Sequence, residues 1–155
     1  MADNDNTKLV LENFLPYRLS YLTNIISRKL ARLYSEQFNM APAEWKVLAN
    51  LTRHPDTSAA EVGEKTAMDK VAVSRAVNAL CDRGLVHKTF AREDRRRSVL
   101  NLTPLGLDIY HKIEPLVIGY ERHLKDALND AERTQLDRLL RKLTDHVEHN
   151  PSDFA

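Results

Sequence analysis

The chain is poor in several residue types that build particular sites. Four glycines in 155 residues argue against a β-barrel and against a Gly-rich loop cradling a nucleotide phosphate. No apolar run exceeds four residues, too short for a membrane-spanning helix. A single cysteine, Cys81, cannot form an internal disulfide, so a reducing, cytoplasmic setting is expected. The opening MADNDNTK is polar and acidic, unlike a secretory signal. HExxH, GxSxG, P-loop and GxGxxG spacings are all missing, so nothing supports an enzyme. The six histidines form no dense set with cysteine or carboxylates, His146 and His149 being three apart near the chain end. Neither a metal nor another cofactor is expected.

What is present is charge, unevenly placed. Between Asp69 and Thr103 there are eight basic and four acidic residues, whereas the rest of the chain has fifteen basic and eighteen acidic ones. Such segregation suits a protein with one local anion-binding face.

Helical periodicity dominates. Leu15, Leu19, Leu22, Ile26, Leu30 and Leu33 recur at helical spacing. Pro16 predicts a short helix followed by a long one over about 17–37. Pro42 and Glu44 open a second helix, with Trp45, Leu48 and Leu51 on one face and His54-Pro55 at its end. Ser58 and Glu61 have capping-box spacing. Asp69 caps a further helix, and Gly84 suits its C-terminal end. LVHKTF and SVLNLT are β-prone and flank the basic loop Ala91–Arg97, which predicts a hairpin with a charged tip. Thr103-Pro104 starts another long helix, which Pro115 should bend, and Asn129 with Glu132 starts the last.

The predicted order is four helices, two strands and two helices. This is a mainly α fold with a small β-hairpin wing, a winged helix-turn-helix. Expected domains are 9–40 (N-terminal dimerisation helices), 41–103 (DNA-binding unit) and 104–149 (C-terminal dimerisation helices). The terminal helices have wide apolar stripes that one subunit cannot cover, so a two-fold homodimer is expected.

A basic run alone is usually a solvated face. After a helix-turn-helix it has a use. The second helix of the pair can enter a major groove and present Lys70, Ser74, Arg75 and Asn78 to base edges. Ser74 and Ser58 can donate to phosphate. The wing tip, with Arg95, Arg96 and Arg97, can place an arginine in the adjacent minor groove. Asp69 serves better as a cap than as a base contact. Arg83 and Lys88 fit surface charges or phosphate contacts equally.

The segment DRRRSVLNLTPLG, within this element order, resembles the MarR family of bacterial transcription regulators. Its wing pattern, Asp-x-Arg followed by an apolar strand ending in Leu-Thr-x-x-Gly, matches Asp94, Arg96, Leu102, Thr103 and Gly106. The resemblance implies a homodimeric repressor on a short palindrome of double-stranded DNA. It also implies that Arg96 probes the minor groove, and that Asp94 braces the wing by pairing with a nearby arginine.

The resemblance further implies a small aromatic effector. Arg18, beside Tyr17 and Tyr21 and with Ser20 and Asn24 nearby in sequence, is expected to clamp a carboxylate, and Trp45 to supply an apolar wall. This is similar to the aromatic-acid branch of the family, such as repressors of nicotinate or hydroxycinnamate breakdown. An intersubunit salt bridge for Arg18 and a core position for Trp45 stand beside that expectation. Two alternative functions are a redox regulator acting through Cys81, against which stands a buried inert thiol, and a winged-helix protein–protein adaptor without DNA.

Overall fold

Pro16 lies in the first turn of a helix, where its missing N–H removes no intrahelical bond. The computed structural model describes residues 8–94 and 96–150. A 3-10 turn at Leu11–Asn13 leads into α1 (Leu15–Phe38), the short-then-long arrangement read from Pro16. The helix ends at Asn39, which adopts a left-handed conformation with φ 47°.

α2 (Pro42–Arg53) follows, and the Ala41 N–H donates to Glu44 Oε2 at 3.3 Å. α3 (Ala59–Thr66) begins with both halves of a capping box. The Ser58 N–H donates to Glu61 Oε2 at 2.8 Å, and the Glu61 N–H donates to Ser58 Oγ at 3.3 Å. A three-residue turn, with Ala67 at φ 52°, leads to α4 (Lys70–Asp82). There Asp69 Oδ1 accepts the Ala72 N–H at 2.8 Å.

α4 closes with a Schellman motif. The Gly84 N–H donates to Cys81 O and the Leu85 N–H to Leu80 O, both at 2.9 Å. Gly84 sits at φ 69°, the conformation that favours glycine here. Leu80 and Leu85 are both buried, completing the motif with its apolar contact.

β1 (Val86–Phe90) and β2 (Ser98–Leu102) pair antiparallel, Val86 opposite Leu102 and Phe90 opposite Ser98. A further rung comes from the α2–α3 loop, where the Leu100 N–H donates to Thr57 O at 2.9 Å. Asp56 and Asn101 reinforce it with two hydrogen bonds, of 2.9 and 2.8 Å. A one-residue bridge has no periodicity to detect, and the sequence did not announce it. α5 (Pro104–Lys125) contains Pro115, and α6 (Asp130–His149) starts at a capping box of Asn129 and Glu132.

Packing divides the chain into two units, one through Val117 and one from Ile118. In the first, α2, α3, α4 and β2 bury Val47, Leu48, Leu51, Val62, Val73, Val77, Leu80 and Leu100. Tyr34 from α1 and Ile113 from α5 join that core, so it extends beyond the 41–103 unit read from sequence. In the second unit no residue of α6 is buried, and Leu136, Leu139, Leu140, Leu143 and Val147 are exposed. Arg133 closes the turn before α6 by donating from Nε to Lys125 O at 3.0 Å. Among the described residues no helix is long and apolar enough to cross a membrane.

The start of α5 presses on the end of α4. The Thr103 N–H donates to Leu85 O at 3.0 Å, and its Oγ1 donates to Gly84 O at 2.6 Å. The same hydroxyl accepts the Gly106 N–H at 3.0 Å, capping α5. A Cβ on Gly106 would fall 2.0 Å from the Leu85 carbonyl oxygen, a backbone atom that no rotamer change can move. Gly106→Ala is therefore expected to destabilise the first unit by about 3 kcal/mol. Denaturant unfolding followed by circular dichroism checks this, the midpoint falling while the slope is unchanged.

Candidate nucleic-acid interface

α4 has two unlike faces. Val73, Ala76, Val77 and Leu80 are buried, while Lys70, Ser74, Arg75 and Asn78 are all exposed. Helical geometry produces the division, because Ser74, Arg75 and Asn78 lie about 120°, 140° and 160° around the axis from the buried Leu80. Among the described residues, neither Lys70 nor Arg75 is held in an ion pair. The helix thus presents a cation, a two-pronged donor, a hydroxyl and an amide side by side. That donor set can hydrogen-bond base edges and phosphates.

The wing adds a second basic element. The hairpin closes through the Ala91 N–H to Arg97 O at 2.9 Å and the Arg97 N–H to Asp94 O at 3.0 Å. Asp94 Oδ1 accepts the Arg96 N–H at 2.9 Å. Its carboxylate thus holds the turn through backbone two residues on, an Asx-type bond; among the described residues it pairs with no arginine side chain. Arg96 is exposed and, among the described residues, has no ion-pair partner. Arg95, expected to touch DNA, lies outside the described residues.

Arg97 and Ser58 are otherwise engaged. Arg97 Nη2 donates to Glu61 Oε1 at 2.6 Å and to Oε2 at 2.5 Å, tying the base of the wing to the first turn of α3. The Ser58 hydroxyl donates to Glu61 Oε2 at 2.7 Å, so its one donor is committed to the cap and not turned to phosphate. Arg83 is likewise structural. Its guanidinium reaches Asn39 O at 2.6 Å, Phe38 O at 2.7 Å and Glu44 Oε2 at 3.0 Å. It therefore caps the C-terminus of α1, where the helix dipole favours a cation. Lys88, the other ambiguous cation, is exposed on β1. No sequence signal linked Arg97 to Glu61, 36 positions apart, or Arg83 to Glu44, 39 apart; only folding makes these neighbours.

The expected effector residues are not brought together within one chain. Arg18 and Tyr21 line a groove beside the 3-10 turn, with Tyr17 stacked on Tyr21 at 6.2 Å. Asn24 lines a different groove on α1, sharing only Tyr21 with the first. Ser20 lines neither, because two residues along a helix is a turn of about 200°, to the opposite face. Trp45 stacks on Tyr110 at 5.5 Å and leans on Tyr34 at 5.8 Å. Since Tyr34 is sixteen residues beyond Arg18, Trp45 lies about 24 Å farther along the axis of α1. Trp45 is half-buried against the core. The Tyr110 hydroxyl beside it donates to Glu114 at 2.7 Å, and burial followed by that bond pushes its pKa up to about 12.

Burial pushes the Cys81 thiol above its ordinary value, Lys88 pulling it down and Asp82 adding to the rise. A thiol kept protonated is a poor redox sensor. Among the described residues no group of three His, Cys, Asp or Glu could hold a metal ion.

Glu61 is held at about 2, first by the Ser58 N–H, then by the Ser58 hydroxyl and the Arg97 guanidinium. A lowered carboxylate pKa stabilises the fold above the unfolded value of about 4.5 and ceases to do so as pH falls toward about 2. The wing-to-α3 tie is therefore expected to persist through pH 4.5 and to loosen only toward pH 2. NMR titration of the Glu61 carboxyl checks this. In Arg97→Ala the Glu61 midpoint should rise only part of the way, because Ser58 supplies the larger share.

Comparison with known proteins agrees with this geometry. Residues 38–97 match the family model described as "MarR family". A Thauera aromatica protein, described as a transcriptional regulatory protein for the hcr operon, is 27% identical over 126 residues, covering 81% of this chain and 76% of its own. A MarR/EmrR family regulator from Acinetobacter superposes with a TM-score of 0.84 at 27% identity, over 91% of this chain and 99% of its own. Bordetella bronchiseptica BpsR, solved in a study of how 6-hydroxynicotinic acid regulates its DNA binding, shares the fold. Its TM-score is 0.79 at 23% identity, over 88% and 96% of the two chains. The match over residues 38–97, from the end of α1 to the wing tip, and the fold shared over nine-tenths of the chain make this protein similar to the transcriptional regulators of the MarR family.

Proposed function

We propose that the protein is a homodimeric repressor that reads an inverted repeat with α4 and the wing, and that a small aromatic carboxylate releases it. The observation carrying the DNA reading is the exposed polar face of α4, with Lys70, Ser74, Arg75 and Asn78, together with the exposed Arg96 on the wing. An adaptor would have no use for that cation set. The homodimer is supported by the apolar faces left open on each unit: Leu15, Leu19 and Leu22 on α1, and Leu136, Leu139, Leu140 and Leu143 on α6. Rows of exposed leucines along one helix face are the kind of surface that a partner covers.

The effector reading is supported by the flat aromatic surface of Trp45 on Tyr110, by Arg18 at the other end of α1, and by the regulation of BpsR by 6-hydroxynicotinic acid. One ligand can meet both Arg18 and Trp45 only if a second copy brings its α1 to the first. Binding would release DNA only by favouring the dimer state in which the two α4 helices no longer fit.

Arg96→Ala is expected to weaken binding by about 1–3 kcal/mol, the scale of one good groove contact. Arg75→Ala should relax base preference, whereas Lys88→Ala should weaken all sequences alike. Fluorescence anisotropy on duplexes selected by the parent protein, at physiological salt, measures each. Half-site centres should lie about 10 bp apart. Arg96→Ala binding as tightly as the parent would remove the wing from the interface.

Benzoate-, nicotinate- and cinnamate-type acids titrated into the protein–DNA complex should release DNA and quench Trp45, the sole tryptophan. Arg18→Ala should abolish release without weakening DNA binding. Release by none of the three would defeat the aromatic-carboxylate reading.

A further inference from the structure

We propose that Val71 is a specificity residue of this interface, packing on the 5-methyl group of a thymine in each half-site. The inference rests on the reading of α4 as the helix that enters the major groove. Val71 is 58% exposed, in the first turn of α4. It stands nine residues before Leu80, and nine residues is about two and a half helical turns. Val71 therefore points directly away from the core residue Leu80, which is fully buried.

Scattered exposed apolar residues are ordinary on a protein surface. This one occupies the centre of a face that is otherwise polar, between Lys70, Ser74, Arg75 and Asn78, all exposed. Val71 takes no part in the buried core, and a β-branched residue is a weaker helix former than alanine at such a site. Lys70 and Arg75 draw the face toward a polyanion. On the major-groove edge of DNA the apolar group on display is the thymine methyl. Arg75 lies one turn beyond Val71, so the thymine should sit within one or two base steps of the guanine that Arg75 contacts.

The test begins by selecting duplexes from a random pool with the full-length protein. Each thymine of a selected duplex is then replaced by deoxyuridine, which deletes only the 5-methyl. For the parent protein, one position per half-site should weaken binding about two- to fivefold, the value of one buried methyl. Val71→Ala should bind the thymine duplex more weakly by a similar factor and be indifferent to deoxyuridine at that position. Alanine is the better helix former, so an unchanged melting curve verifies folding. If no thymine shows the methyl effect, or Val71→Ala retains it in full, the proposal is overturned while the DNA-binding reading stands. If Val71→Ala weakens every sequence equally, Val71 touches backbone and the proposal is also overturned. Failure of the parent to enrich any duplex overturns both.

Discussion

The arrangement of α4 and the wing depends on a close backbone approach at the end of α4. The Schellman motif turns the chain at Gly84, and the Thr103 hydroxyl bonds Gly84 O while receiving the Gly106 N–H. Leu85 O accepts the Thr103 N–H, and Gly106 passes so near it that no side chain fits. Four residues thus join the end of the exposed helix, the two roots of the wing and the first turn of α5. The Leu-Thr-x-x-Gly pattern is the sequence trace of this junction: a hydroxyl that both donates and accepts, followed three residues later by the one residue without a Cβ. Loosening it would let α4 and the wing move independently, whereas the proposed reading of one duplex by both needs a fixed spacing.

Charge is divided by the fold into holding and presenting roles. Arg83 binds the carbonyl end of α1 and Glu44, and Arg97 binds Glu61 at the start of α3. Lys70, Arg75 and Arg96 remain exposed. The two arginines that are held orient the elements carrying those that are not. Arg97 anchors the wing at its base and Asp94 shapes the tip through the Arg96 N–H, so the exposed Arg96 is displayed from a turn restrained at both ends. Preorganisation of this kind lowers the entropy lost on binding.

Much of the fold was legible because it is written locally. Pro16, Pro42 and Pro104 mark helix starts, while Ser58 with Glu61, Asp69, and Asn129 with Glu132 cap three others. Gly84 marks an end. Both strands and the loop between them follow from β-prone runs around charge. The alternation of buried and exposed residues on α4 follows from a period of 3.6. Nearness in sequence groups the effector residues, whereas helical geometry separates them: Ser20 turns away from Arg18, and Trp45 stacks on Tyr110 and leans on Tyr34 much farther along α1.

The order of elements, the caps, the basic tip and the polar face of α4 can all be read along the chain. Each of these is a matter of neighbours within one or two turns. Which of the described cations are held by carboxylates depends on the three-dimensional packing. Arg83, Arg96 and Arg97 are chemically alike in the sequence, and two of them meet carboxylates more than thirty residues away. It also decided that Tyr34 and Ile113 belong to the winged-helix core and that Gly106 must lack a side chain. These outcomes depend on which distant atoms arrive at a point in space, and residue spacing along the chain does not encode that.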